Sequence, residues 1–99
     1  LLALLVISAM GFTLFRAKNG PQADIAAGYM ARVVCACRYV GGRDMASCQT
    51  DAEPGMEIVT VTEEAATRTI TARVPLLASR SARHNAPVNG IETGCTLID

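Results

Sequence analysis

Four cysteines, one histidine and a pair of adjacent glutamates are the side chains of this 99-residue chain best suited to chemistry. Cys35, Cys37, Cys48 and Cys95 can form disulfides, hold a metal or carry a redox step, and four cysteines allow three complete pairings. On a helix Cys35 and Cys37 point about 200° apart, so each needs a distant partner or stays free. An even count behind an apolar N-terminal segment favours two disulfides in an oxidising compartment. A small core with few aromatics would gain roughly 2–4 kcal/mol from each bridge. Metal binding is the rival, but C-x-C with two scattered cysteines has neither ribbon nor finger spacing, and no iron–sulfur or haem-attachment spacing is present. His84, in ARHN, joins no recognisable nucleophile motif and is expected in an exposed loop. Glu63 and Glu64 read as a solvated hairpin tip rather than an acid/base pair. Gly41-Gly42 lacks a phosphate-cradling context. The expectation is a protein that is not an enzyme and takes no cofactor, metal or small-molecule substrate.

Those cysteines sit behind an unusual segment. Nine basic and nine acidic residues cancel, which argues against a nucleic-acid partner. Apolar residues make up 51% of the chain and charged ones 18%, below the usual ~25%. The excess lies in residues 1–15, LLALLVISAMGFTLF, which carry no charge and end at Arg16 and Lys18. Fifteen helical residues span roughly 22 Å against a hydrocarbon core of about 30 Å. The chain opens on Leu, and a start further upstream would supply the missing turn. Residues 1–16 are therefore expected to be a transmembrane anchor. A signal-peptide apolar region and a buried core helix compete with that reading. No A-x-A cleavage site follows closely, and no polar stripe marks a packed surface helix. Leu1, Leu5, Ser8, Phe12 and Phe15 share one face, where Ser8 would let a partner helix approach. Tyr29 would add a contact at the membrane surface. Arg16 and Lys18 would place the following domain in the cytoplasm. The cysteines argue for the opposite side and are given more weight.

Residues 17–23, AKNGPQA, read as a linker in which Asn19, Gly20 and Pro21 end the first helix. Asp24 would cap a second helix over 25–39, with Ile25, Tyr29, Val33 and Cys37 on one face and Met30 and Val34 beside them; that face is expected to pack on the domain, the rival being that it docks on a partner in or near the membrane. Gly41 and Gly42 stop it. A short helical turn at 44–48 and a loop through Asp51, Glu53, Pro54 and Gly55 follow. Residues 58–62 and 68–74 alternate as strands joined by EEAAT. Val59 and Val61 share one face, and Ile70, Ala72 and Val74 another. Pro75 ends the second strand, Arg80 and Arg83 are exposed by default, and 91–98 offers a third short strand. A hairpin alone is marginal in water and needs the helix, a third strand or a partner as cover.

Three segments of this order resemble one arrangement. They are AAGYMARVVCACRYVGGRD (26–44), the strand pair, and GCTLID (94–99). Together they are similar to the membrane-anchored N-terminal region of bacterial serine hydrolases of the class C β-lactamase-like family. There a helix reading like A-K-x-L-C-S-x-x-F-V-S-G-R precedes a hairpin and a G-C-T-L segment. Ala31, Cys35, Val40, Gly42 and Arg43 match outright. Arg32, Val34 and Tyr39 match in kind, Arg80 and Ala82 fit the stretch before the last element, and residues 94–97 match that element. The resemblance implies a Cys35–Cys95 bridge, with Cys37 and Cys48 forming a second, additional one. It departs in chemistry. The family's hydrolysis needs a Ser-x-x-Lys nucleophile and a tyrosine base in a following domain. Here the only lysine is Lys18, and neither Tyr29 nor Tyr39 begins Y-x-N.

The expected fold is α+β: an N-terminal transmembrane helix (1–16), a linker (17–23) and a small disulfide-stapled domain (24–99) of one helix and a β-hairpin with a third strand. The expected place is a bacterial inner membrane with the domain in the periplasm. The expected function is that of a single-pass accessory subunit contacting lipid and stabilising a larger membrane protein complex, for which a respiratory or photosynthetic host would fit. The alternative is the anchor and N-terminal cap of a membrane-bound serine hydrolase. A redox or metal carrier using Cys35 and Cys37 is a third reading.

Overall fold

The computed structural model describes residues 1–50 and 56–98. It is mixed helix and sheet. Helix α1 (Leu2–Tyr39) is followed by the short helix α2 (Met45–Gln49). Strands β1 (Thr60–Glu64), β2 (Thr69–Val74), β3 (Ala78–His84) and β4 (Cys95–Leu97) form one antiparallel sheet in the order β1-β2-β3-β4. A 3-10 turn (Ala65–Thr67) joins β1 to β2. The loop at Asp51, Glu53, Pro54 and Gly55 lies outside the described residues.

The first correction concerns 17–23, which is not a linker. α1 runs unbroken through Asn19, Gly20 and Pro21. Proline costs about 3 kcal/mol in a helix interior, because it lacks an N–H and crowds the carbonyl four residues earlier. At Pro21 that carbonyl belongs to Ala17, an exposed residue, so water can satisfy it. Asn19 turns its Nδ2 back to the Phe15 carbonyl at 3.0 Å instead of leaving the helix. On the far side Ala23 is already in the core. Asp24 therefore caps nothing; its carboxylate accepts from Arg80 Nη1 at 2.8 Å, so Arg80 is not exposed by default either.

The second correction is the packed face of α1. Ile25 is 71% exposed and Tyr29 38%. The buried stripe is Ala27, Met30, Ala31, Val34 and Cys35, one step round the helix. A helix lying on a sheet is brought close by small side chains, and Ala27 and Ala31 supply them. Facing them are Ile70, Ala72, Val74 and Ala82, with Val59 at the rim. Ile70, Ala72 and Val74 do share the inner face of β2.

Two strands differ from expectation. β1 is shifted two residues later, so Glu63 and Glu64 are strand residues paired with Ile70 and Thr69. β3, unassigned from sequence, is the central partner of β2 and β4. The third strand expected over 91–98 is β4, confined to Cys95–Leu97. α1 ends as expected at the glycine pair: a Cβ on Gly41 would stand 2.8 Å from the Cys37 carbonyl oxygen, and Gly42 takes φ +71°. Asp44 then caps α2, its carboxylate accepting from Ser47 N at 2.7 Å.

Candidate functional site

The core is slight, and two covalent links belong to it. Five of the twelve buried apolar residues described are alanines, so little area is removed from water per residue. Cys35, on the packed face of α1, is bonded to Cys95 at the start of β4, with Cα atoms 6.2 Å apart. Cys37 is bonded to Cys48 in α2, Cα atoms 5.7 Å apart. Both separations fall within the usual disulfide span. This is the pairing that the hydrolase resemblance implies. One link joins helix to sheet, the other folds α2 back on the end of α1.

Above these links lies a polar cluster that sequence reasoning missed. His84 is 8% exposed, not a loop residue; it ends β3 and stacks on Tyr39, ring centroids 5.9 Å apart. Its Nε2 lies 2.9 Å from Glu92 Oε1, and its Nδ1 lies 3.4 Å from Arg68 Nη1. Arginine can only donate, so Nδ1 accepts and Nε2–H donates to Glu92. Both ring nitrogens are thereby occupied, and the ring ties the end of β3 to Arg68 and Glu92. Glu92 also accepts from Gly94 N at 2.8 Å. That backbone bond, followed by the His84 contact, holds the Glu92 carboxyl below the usual carboxylate range.

Glu63 is likewise not a free tip. It accepts from Tyr39 Oη at 2.5 Å and pairs with Arg38 Nε at 3.1 Å. Burial, then the bond to Glu63 and its charge, push the Tyr39 hydroxyl up to about 12. The sequence signal for this cluster was faint: Arg38-Tyr39 at a helix end, and one histidine in phase with Ala82. Among the described residues no three His, Cys, Asp or Glu side chains converge as metal ligands would, and all four cysteines are bridged.

The apolar stretch of α1 stands apart from this domain. α1 is long and apolar enough to cross a membrane, and its most apolar stretch is unburied. Leu1, Leu5, Ser8, Phe12 and Phe15 are all exposed, but so are the residues on the other sides of that stretch, so exposure singles out no face. Thr13 Oγ1 is satisfied internally by the Ala9 carbonyl at 2.8 Å, which suits a hydroxyl placed in lipid. Tyr29 projects beside Arg32 and Val33 along the open side of α1, next to Cys95. Fold and site together define a class: a disulfide-stapled α+β domain built on the extension of an apolar helix. No family model, curated protein or solved structure matches this chain.

Proposed function

We propose that this chain is a non-catalytic, membrane-tethered docking module. In this reading the anchor crosses a bacterial inner membrane, and the stapled domain stands in the periplasm, where it binds and stabilises a protein partner. The observation that carries it is the continuity of one bare apolar helix with a domain whose cysteines are bridged and whose histidine, Glu63 and Glu92 are held by neighbouring groups. Tethering raises the local concentration of such a domain at the surface. The open side of α1, with Ile25, Tyr29 and Val33 beside the edge strand β4, is the surface proposed to meet the partner.

Two partners fit. One is a larger membrane protein complex, for which the chain would be an accessory subunit. The other is a catalytic domain of the class C β-lactamase-like serine hydrolases, for which it would be anchor and N-terminal cap. A specific observation favours the second: of the two complete pairings that keep Cys35 and Cys37 apart, the one found is the one that the resemblance implies. Extraction of native membranes in mild detergent, with intact-mass analysis and labelling by a serine-reactive fluorophosphonate, separates them. A labelled polypeptide much larger than this chain and containing it supports the hydrolase reading. An unlabelled chain ending near Asp99 that co-migrates with a large complex supports the accessory subunit. An unlabelled chain migrating alone overturns both.

A further inference from the structure

The three-residue turn between β2 and β3 places a leucine where the backbone disfavours one. Leu77 N bonds the Val74 carbonyl at 3.1 Å, and Leu76 takes φ +66°. This left-handed conformation costs a branched side chain roughly 1–2 kcal/mol and is ordinarily given to Gly or Asn. Leu76 recovers little within the molecule, since it is 75% exposed. The position is specific in the fold. Arg16, the residue that ends the anchor's uncharged run, lines one open cleft with Arg73, Leu76 and Leu77. The strands fix the same direction. Arg80 reaches Asp24 near the start of the packed half of α1, whereas His84 reaches Tyr39 at its end. The β2–β3 turn therefore lies at the anchor end of the domain, level with the helix's exit from its apolar stretch.

We propose that this turn is a second membrane contact: Leu76 enters the boundary between headgroups and acyl chains, and Arg16 and Arg73 meet anionic lipid phosphate. Among the described residues, those lining the cleft include two cations and no acid, which complements the phosphates of anionic lipid headgroups. A strained, exposed apolar side chain beside that charge suits interfacial insertion. The domain is then held against the bilayer at two points, anchor and turn, and its tilt is set. This inference rests on the reading that residues 1–16 span the membrane, and the test keeps the two apart.

The chain has no tryptophan, so a single introduced one reports depth without background. The full chain would be placed in nanodiscs containing phosphatidylglycerol as Phe12→Trp, Leu76→Trp or Ile91→Trp. Ile91 is 67% exposed and lies in the β3–β4 loop at the opposite end of the sheet. Lipids brominated at shallow acyl positions and aqueous iodide serve as opposed quenchers. The expected result is strong lipid quenching at positions 12 and 76, with blue-shifted emission, and iodide quenching alone at 91. The position-91 control also removes tryptophan's own preference for interfaces as an explanation. Lipid quenching at 12 with iodide quenching at 76 overturns the turn contact and leaves the anchor standing. Iodide quenching at 12 overturns the anchor itself. Because Leu76 is exposed, the substitution leaves the core intact; non-reducing electrophoresis checks that both bridges form.

Discussion

The two disulfides should contribute unequally, and the inequality follows from loop length. The Cys35–Cys95 link closes 60 residues and the Cys37–Cys48 link 11. Loop-closure entropy assigns them about 4.3 and about 2.8 kcal/mol at 25 °C. The short bridge lies inside the long loop and shortens it, which lowers the larger figure by only about 0.2 kcal/mol. Lost packing does not blur the comparison. Each bridge joins one fully buried cysteine, Cys35 or Cys48 at 0% exposure, to one half-buried partner. Paired Cys→Ala variants of the full chain in detergent micelles, read by pulse proteolysis across a urea series, would measure the difference. The Cys35/Cys95 variant should be the weaker by about 1.5 kcal/mol. Since whole domains hold only about 5–15 kcal/mol, much of the folded population should be lost with it. Equal stability of the two variants, or greater loss from the short bridge, would refute the reasoning that the long link compensates for an alanine-rich core.

Other outcomes follow from the packed interface and the far-end brace. Gly28→Ala should stabilise the domain by about 0.5–1 kcal/mol, because the added Cβ would sit 3.5 Å from Leu97 Cδ1, an ordinary contact; urea midpoints measure it. Ala31→Leu should cost about 1–3 kcal/mol by overpacking, since Ala31 is fully buried between helix and sheet, and the same titration reads it. The lowered Glu92 carboxyl contributes stability that is present above the unfolded carboxylate value of about 4.3 and is lost as pH falls through the folded one. Amide exchange at Asn85 and Gly94 should therefore quicken, relative to intrinsic rates, below about pH 4. Glu92→Gln should abolish that pH dependence.

Much of the architecture was legible in the sequence, because some segments carry one dominant signal. The uncharged run at 1–15, the helical turn at 44–48, the glycine stop at 41–42 and the alternation of β2 each followed from local chemistry. What failed was decided at a distance. Asn19-Gly20-Pro21 carries strong breaker chemistry, yet Ala23 and the stripe beyond it need the helix continuous to meet the sheet. The stripe itself was misplaced, because Ile25, Tyr29 and Val33 outrank Ala27 and Ala31 in hydrophobicity. Close approach to a sheet selects for size instead. β3, ASRSARH, has no β-branched residue; its strand state comes from neighbours on both sides, and its signal was only Ala78 and Ala82 alternating with serines. His84 looked exposed for the same reason: no local feature announces that Tyr39, Arg68 and Glu92 converge on it.

The unbroken α1 gives the protein a geometric register. At 1.5 Å and 100° per residue, its 38 residues make a rod of roughly 57 Å that carries both the apolar stretch and the domain. With no swivel between them, the azimuth of the apolar stretch fixes the heading of the domain, and in the proposed tethered state it sets which side of the domain looks along the bilayer plane. One residue inserted near Lys18 would wind the domain by about a quarter turn. Two would turn its open side nearly to the back, while four would bring the heading back to within about 40° and raise it about 6 Å. Residues 17–23 act as a fixed-angle coupling, and their number matters as much as their identity.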